Sequence, residues 1–250
     1  MQDDSKTTTD KAVADAKEFP CLWFVNFATP EASGQPDALA KYIQDVQDYR
    51  CWASLVWWKT AYAQQKLPQD GSRSAIAMRN SYCAKVATKH MQQTPWLAMV
   101  ANNNVSKEIS CSTPDLHRKL IDAVLEGFVT PSTAAYEALE PILGSLRQTI
   151  EARQPSSDSR TIVCQRFEYI KEADVIKSYT RVISLWITDS IRKLCDAKKT
   201  EKEVSCEIEF NDYETMFNQK LWKQTAESIS GEQKTAMAQY VANQTVVCPP

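Results

Sequence analysis

The amino-acid sequence predicts an α+β fold that is predominantly helical, with about seven helices around a small sheet of about three strands. Glycine makes up only 5 of 250 residues, below the roughly 7% of an average protein, and scarce glycine favours helices. Long segments repeat apolar residues at the helical spacing, and a few short runs alternate or are continuously apolar. We expect one domain over residues 19–250, behind a flexible segment 1–18, with a break between subdomains near 154–160.

In the N-terminal half, prolines and apolar spacing delimit the elements. The aromatic run between Pro20 and Pro30 is typical of a buried strand. Pro36 stands in the first turn of a periodic segment, where proline favours the start of a helix. The predicted elements are a strand at 21–27, helices at about 36–66 and 73–92, a short helical piece at 96–99 and a loop at 102–112.

In the C-terminal half, a helix hairpin precedes two further strands. Thr113-Pro114 and Thr130-Pro131 each combine an N-cap hydroxyl with a proline at the first helical position. Residues 204–210 alternate strictly between apolar and polar, which is the period of a strand. The predicted elements are helices at about 114–127 and 131–153, strands at 161–170 and 204–210 with a helix at 176–194 between them, and helices at about 213–229 and 230–242.

Charge and motif content argue against several functions. Lys and Arg number 29 against 31 Asp and Glu, a net charge of −2, whereas nucleic-acid-binding domains are normally basic. The sequence contains neither a glycine-rich phosphate loop nor a nucleophile-elbow motif. We therefore predict no cofactor, and neither nucleotide nor nucleic acid as a partner.

Eight cysteines are spread widely along the chain without a C-x-x-C pair, so no zinc site is predicted. An even, dispersed set is typical of disulfide cross-links in a secreted protein. Buried free thiols are the alternative. The disulfide candidates are Cys21, Cys51, Cys83, Cys111, Cys164, Cys195, Cys206 and Cys248.

The start of the chain, residues 1–10, is polar and resembles a mature N-terminus from which a signal peptide has been removed. Together with the cysteine pattern, it predicts a secreted or extracellular protein, with the periplasm as the alternative. Uninterrupted apolar runs stay shorter than the ~18 residues of a membrane span.

The tryptophans are the main candidates for a binding surface. Trp52, Trp57 and Trp58 lie close together, and rings at the margin of a core can reach water or lipid headgroups. Since neighbouring helical positions point about 100° apart, one ring of the 57–58 pair is expected at that margin. We predict that Trp52, Trp57, Trp58 and Trp96 contact a membrane or partner; burial in the core is the alternative.

Groups that could carry out catalysis are sparse. His90 lies too far along its predicted helix from Cys83 for a Cys–His pair, and His117 is interpreted as a surface residue. Glu207 and Glu209 share one face of a predicted strand and could act as paired carboxylates. We favour the simpler interpretation, the charged solvent face of an edge strand, and predict neither catalytic nor metal-binding residues.

These observations predict a secreted, non-enzymatic protein of toxin or virulence type that binds the membrane or a surface protein of a target cell. The first alternative is an extracellular or periplasmic module that binds or inhibits one protein partner through exposed aromatic residues. The second is a carboxylate-dependent hydrolase that uses Glu207, Glu209 or Asp212.

Overall fold

The computed structural model describes residues 4–18, 22–27, 36–112, 115–151, 159–170, 172–188, 204–229, 231 and 234–235. These residues form six helices and five strands. The helices are α1 (Asp4–Glu18), α2 (Pro36–Ala63), α3 (Arg73–Gln93), α4 (Leu116–Leu125), α5 (Thr133–Glu151) and α6 (Gln219–Ala226). The strands are β1 (Leu22–Phe27), β2 (Leu97–Cys111), β3 (Ser159–Ile170), β4 (Val175–Trp186) and β5 (Val204–Phe217).

The five strands form one mixed sheet in the order β1-β3-β4-β5-β2. β1 runs parallel to β3, and the other three pairs are antiparallel. The register of β2 against β5 shifts between Met99 and Ala101. The three central strands β3, β4 and β5 therefore have a neighbour on both sides, and β1 and β2 form the edges.

Helices cover both faces of the sheet. On β3, Ile162 and Cys164 belong to the core under the α4–α5 hairpin. We call this side of the sheet the hairpin face. Val163 and Phe167 point the other way, into the core under α1, α2, α3 and α6. We call that side of the sheet the four-helix face. This alternation follows from the two-residue period of a strand, and it separates the interior into two hydrophobic cores.

Local sequence signals set the ends of the helices. The Ser72 hydroxyl accepts the Ala75 amide at 3.3 Å at the start of α3, and the Asn218 side chain accepts the Leu221 amide at 3.0 Å at the start of α6. Such caps satisfy amides that lack a partner within the helix. Gly127, just beyond α4, has a φ of 70°, a conformation that glycine adopts without steric cost.

The prediction of about seven helices around a three-stranded sheet is wrong. The segment expected to be a helix at 176–194 is a strand over residues 175–186, because both faces of β4 are covered and its apolar residues are not confined to alternate positions. The piece at 96–99 and the loop at 102–112 together form β2, an edge strand that is largely solvent-exposed. β5 continues to Phe217, so the helix expected from residue 213 begins at Gln219.

Residues 4–18 form a helix rather than the flexible segment expected from their polar composition. Ala12 is fully buried against the four-helix face, and Asp15 forms a buried ion pair with Arg79 of α3. The predicted break near 154–160 falls largely outside the described residues, as does the helix expected at 230–242. The sheet nevertheless joins both sides of that break, because β1 pairs with β3.

The expected disulfide cross-links are not formed by the cysteines whose side chains the structure describes: Cys51, Cys83, Cys111 and Cys164 are free thiols. Cys83 and Cys164 belong to different cores, so the sheet separates their sulfur atoms. Burial raises the pKa of Cys164 to about 12, so this thiol remains protonated. Cys21, Cys195 and Cys248 lie outside the described residues, and so does the side chain of Cys206.

Candidate functional site

A groove of about 670 Å³ lies at one end of the sheet and brings together the β3–β4 turn, the start of α2, the start of β2 and the β5–α6 junction. We call it the lysine groove. Its polar and charged lining residues are Lys41, Tyr42, Tyr169, Asp174, Lys177, Asn218, Gln219 and Lys223. Its apolar lining residues are Ala38, Ala98, Val175, Ile176, Met216 and Phe217.

The charge of the groove is predominantly positive. Three lysines line it, while Asp174 is the one acidic residue among its described lining residues. Lys223 is held by Asp45 of α2, with 3.1 Å between Nζ and Oδ2. Within the described part of the chain, Lys41 and Lys177 form no ion pair and remain available to an anion.

Aromatic packing makes the floor of the groove rigid. The Tyr42 hydroxyl donates to the Phe217 carbonyl oxygen at 3.1 Å, and the Tyr42 ring meets Phe167 and Phe217 edge-on at 6.1 and 6.0 Å between centroids. Burial raises the pKa of Tyr42 to about 12. Tyr42 therefore acts as a fixed structural residue, not as a proton donor or acceptor at neutral pH.

Apolar side chains are exposed beside these lysines. Val175, at the start of β4, is 45% exposed, and Met99 and Val100, which follow Ala98 along β2, are 41% and 59% exposed. The turn that carries Val175 is braced by Tyr169, whose hydroxyl donates to Asp174 at 2.7 Å. Exposed apolar groups beside unpaired cations can contact both the acyl and the headgroup regions of an anionic membrane.

The four predicted tryptophan candidates do not form an exposed surface. Trp57, Trp58 and Trp96 are at most 6% exposed, and Trp52 is half-buried. Trp52 and Trp96 pack against Trp222 of α6 with centroids 5.7 and 5.3 Å apart. Because α3 and α6 cover both sides of α2, the expected position at the margin of the core is wrong. A binding role for these rings stays a prediction that would require this layer to open.

The histidines have structural partners. Nδ1 of His90 accepts a hydrogen bond from the Trp57 indole at 2.8 Å, and burial lowers the pKa of His90. Nε2 of His117 lies 2.9 Å from a Glu140 carboxylate oxygen, a contact that joins α4 to α5.

The structure keeps Glu207 and Glu209 on one face of β5 and separates both from Asp212. Glu207 and Glu209 are exposed on the four-helix side of β5, in the part of β5 whose described pairing is with β2 alone. Asp212 lies on the opposite face, with Oδ1 3.0 Å from Nε of Arg181 in a second cavity of about 310 Å³ below the end of α4. Burial raises the pKa of Asp212. Arg181 also donates to the Glu126 carbonyl oxygen at 2.7 Å and so ties the hairpin to the sheet.

The described residues offer neither a cluster of metal ligands nor a membrane-spanning helix. They contain no group of three or more His, Cys, Asp or Glu residues arranged to hold a metal ion. None of their helices combines the length and apolar character needed to cross a bilayer.

No protein-family model matches the chain, and no curated protein sequence matches it. Among solved structures, the chain is similar to the Evf virulence factor, with 10% identity and a TM-score of 0.49 over 89% of this chain and 80% of that one. It is also similar to a delta-endotoxin, with 11% identity and a TM-score of 0.35 over 78% of this chain and 80% of that one. Because both TM-scores lie below 0.5, neither likeness carries a conclusion about function.

Proposed function

We propose that this protein is a secreted, non-enzymatic protein of toxin or virulence type that binds the membrane of a target cell through the lysine groove. The observation that carries the proposal is the combination, at one end of the sheet, of unpaired lysines and exposed apolar side chains. In this proposal the lysine groove, and not the tryptophans, contacts the membrane.

The chemistry of the groove fits an anionic lipid surface. A lysine near such a surface contributes about 1 kcal/mol of binding free energy. Lys41 and Lys177 can contribute this fully, because no acidic partner has to be displaced within the described residues. Val175 adds apolar area that is 45% exposed in the free protein and can enter the interface.

A non-enzymatic role is supported by the placement of the carboxylates. Glu207 and Glu209 are exposed on an open strand face, and Asp212 lies on the other side of the sheet. A hydrolase needs its acid and base to flank one scissile bond.

Sedimentation with vesicles tests the proposal. The protein is mixed with vesicles of phosphatidylcholine alone and with vesicles that also contain phosphatidylserine, at low and high salt. We expect binding to the anionic vesicles and weaker binding as salt screens the lysines. The double variant Lys41→Gln/Lys177→Gln should bind about thirtyfold more weakly, since two lysines contribute about 2 kcal/mol.

The matched control is Lys66→Gln/Lys119→Gln, which removes two exposed lysines away from the groove. Equal loss in both double variants would show that only net charge matters and would contradict a specific groove. Absence of binding to every vesicle composition would contradict membrane binding altogether. It would favour the alternative of a module that recognises one protein partner.

A further inference from the structure

A polar pocket of about 350 Å³ lies between α3 and the four-helix face of the sheet. We call it the hydroxyl pocket. It opens at the Ser159 end of β3, whereas the lysine groove lies at the Tyr169 end. Its volume is at the small end of the ~300–1,000 Å³ of ligand sites, which suits one small polar ligand.

Hydroxyl groups form the floor of this pocket. Oγ1 of Thr88 lies 2.6 Å from Oγ of Ser184, and the Thr161 hydroxyl donates to the Ala84 carbonyl oxygen at 3.3 Å. Ser184 and Thr161 are at most 2% exposed. The Thr88 hydroxyl also donates to the Ala84 carbonyl oxygen at 3.0 Å, so Ser184 donates to Thr88. Each hydroxyl oxygen can accept two bonds, so this floor keeps acceptor capacity for the hydroxyl groups of a ligand.

Side-chain amides form part of the wall. Asn211 of β5 is half-buried and lies opposite Ser184 in the sheet, and Gln93 lies at the end of α3. Within the described part of the chain, neither side chain has a hydrogen-bond partner. Each amide offers two donors and one acceptor, the combination that can bind a pair of neighbouring hydroxyl groups.

The mouth of the pocket combines an aromatic ring with cations. Nζ of Lys85 lies 5.6 Å from the centroid of the half-buried Trp186 ring, and Lys89 is one helical turn further along α3. The described lining residues include no carboxylate. Asp212 is adjacent to Asn211 along β5 but lies on the opposite face with Arg181, and Glu209, two residues before Asn211, does not line the pocket.

We propose that the hydroxyl pocket binds an anionic monosaccharide unit, a sugar ring that carries a carboxylate, sulfate or phosphate. Hydroxyls and amides pair with the ring hydroxyls, Trp186 contacts the apolar face of the ring, and Lys85 and Lys89 bind the anionic group. The proposal goes beyond membrane binding and does not depend on the lysine groove.

Calorimetric titration without vesicles tests this proposal. The probes are N-acetylneuraminic acid and glucuronic acid, with galactose as the neutral sugar and inorganic phosphate as the anion without a sugar. We expect saturable binding of at least one anionic sugar, and affinities at least tenfold lower for galactose and phosphate. Lys85→Gln/Lys89→Gln should weaken binding of the anionic sugar about tenfold, equivalent to 1.4 kcal/mol, and leave binding of galactose unchanged.

Two further variants separate the ring and the amide from the charges. Trp186→Ala should weaken binding of anionic and neutral sugars alike, because both use the ring, and Asn211→Leu should do the same. The control Lys66→Gln/Lys119→Gln should bind as the parent does. The proposal is overturned if neither anionic sugar binds saturably, if phosphate binds as tightly as the sugars, or if Lys85→Gln/Lys89→Gln has no effect on an anionic sugar that binds.

Discussion

Asp15→Asn is expected to destabilise the protein by about 3–5 kcal/mol, the usual cost of leaving one charge of a buried pair without its partner. Asp15 of α1 accepts from Arg79 of α3 at two points, 2.7 Å from Nε and 3.1 Å from Nη2. The Tyr62 hydroxyl adds a third bond at 2.9 Å. Arg79 is 3% exposed, so water cannot replace the lost carboxylate.

Thermal and urea unfolding measure this effect. For a chain of this size 1 kcal/mol changes Tm by about 2–4 °C, so the expected decrease is about 6–20 °C. The double variant Asp15→Leu/Arg79→Met should recover most of the loss, because replacing both partners by apolar residues is often close to neutral. The carbonyls of Pro68 and Asp70, which also accept from Arg79, lie in a turn that water can reach.

Asp10→Asn is the matched control, since Asp10 lies on the exposed side of the same helix. It should change the free energy of unfolding by no more than ~0.5 kcal/mol. If Asp15→Asn and Asp10→Asn change the free energy of unfolding equally, the Asp15–Arg79 ion pair does not hold α1 against α3.

Three further outcomes are expected. Because burial lowers the pKa of His90, the neutral imidazole contributes to stability above about pH 6.5, and this contribution is lost as the pH falls through the lowered pKa; His90→Gln should flatten this dependence in urea unfolding. Because burial raises the pKa of Asp212, the contribution of this carboxyl group to stability is present at low pH and is lost as the pH rises. The unfolding free energy of Asp212→Asn minus that of the parent should therefore increase from about pH 4 upward. A difference that does not change with pH would contradict this. Alkylation in denaturant without reductant should modify at least four cysteines by mass, whereas Cys83 and Cys164 should stay unmodified in the folded protein.

Local signals in the sequence were sufficient for part of the fold. The Thr-Pro pairs predicted the hairpin, and helices at 116–125 and 133–151 confirm it. The aromatic run predicted β1, and the alternation from Val204 predicted the first half of β5. Each of these segments carries its own boundary signal or has a face of clear polarity.

The elements that sequence reasoning missed have environments that conceal their period. β4 is covered on both faces, so Ile176 and Ile183, which lie on opposite faces, still match a helical spacing. β2 is an edge strand with Asn102, Asn103 and Asn104 exposed, a composition typical of loops. Both errors have one cause. The spacing of apolar residues in a strand depends on which of its faces are buried, and residues far away in the chain determine that burial.

The lysine groove could not be predicted for the same reason. Lys41, Lys177 and Lys223 come from α2, β4 and α6, and each is an ordinary surface lysine in its own segment. Only the sheet order brings them to one end of the molecule. The spacing of the tryptophans in the sequence indicates a large aromatic cluster. It cannot show that α3 and α6 cover this cluster.

The sheet order also determines when the protein can fold during its synthesis. Leu22 pairs with Thr161, and Leu97 pairs with Phe217. Each edge strand can therefore pair only after more than a hundred further residues have been synthesised. Until then α2 and α3 have no sheet to cover, and their aromatic residues remain open to other chains. Such distant pairing slows folding and favours aggregation.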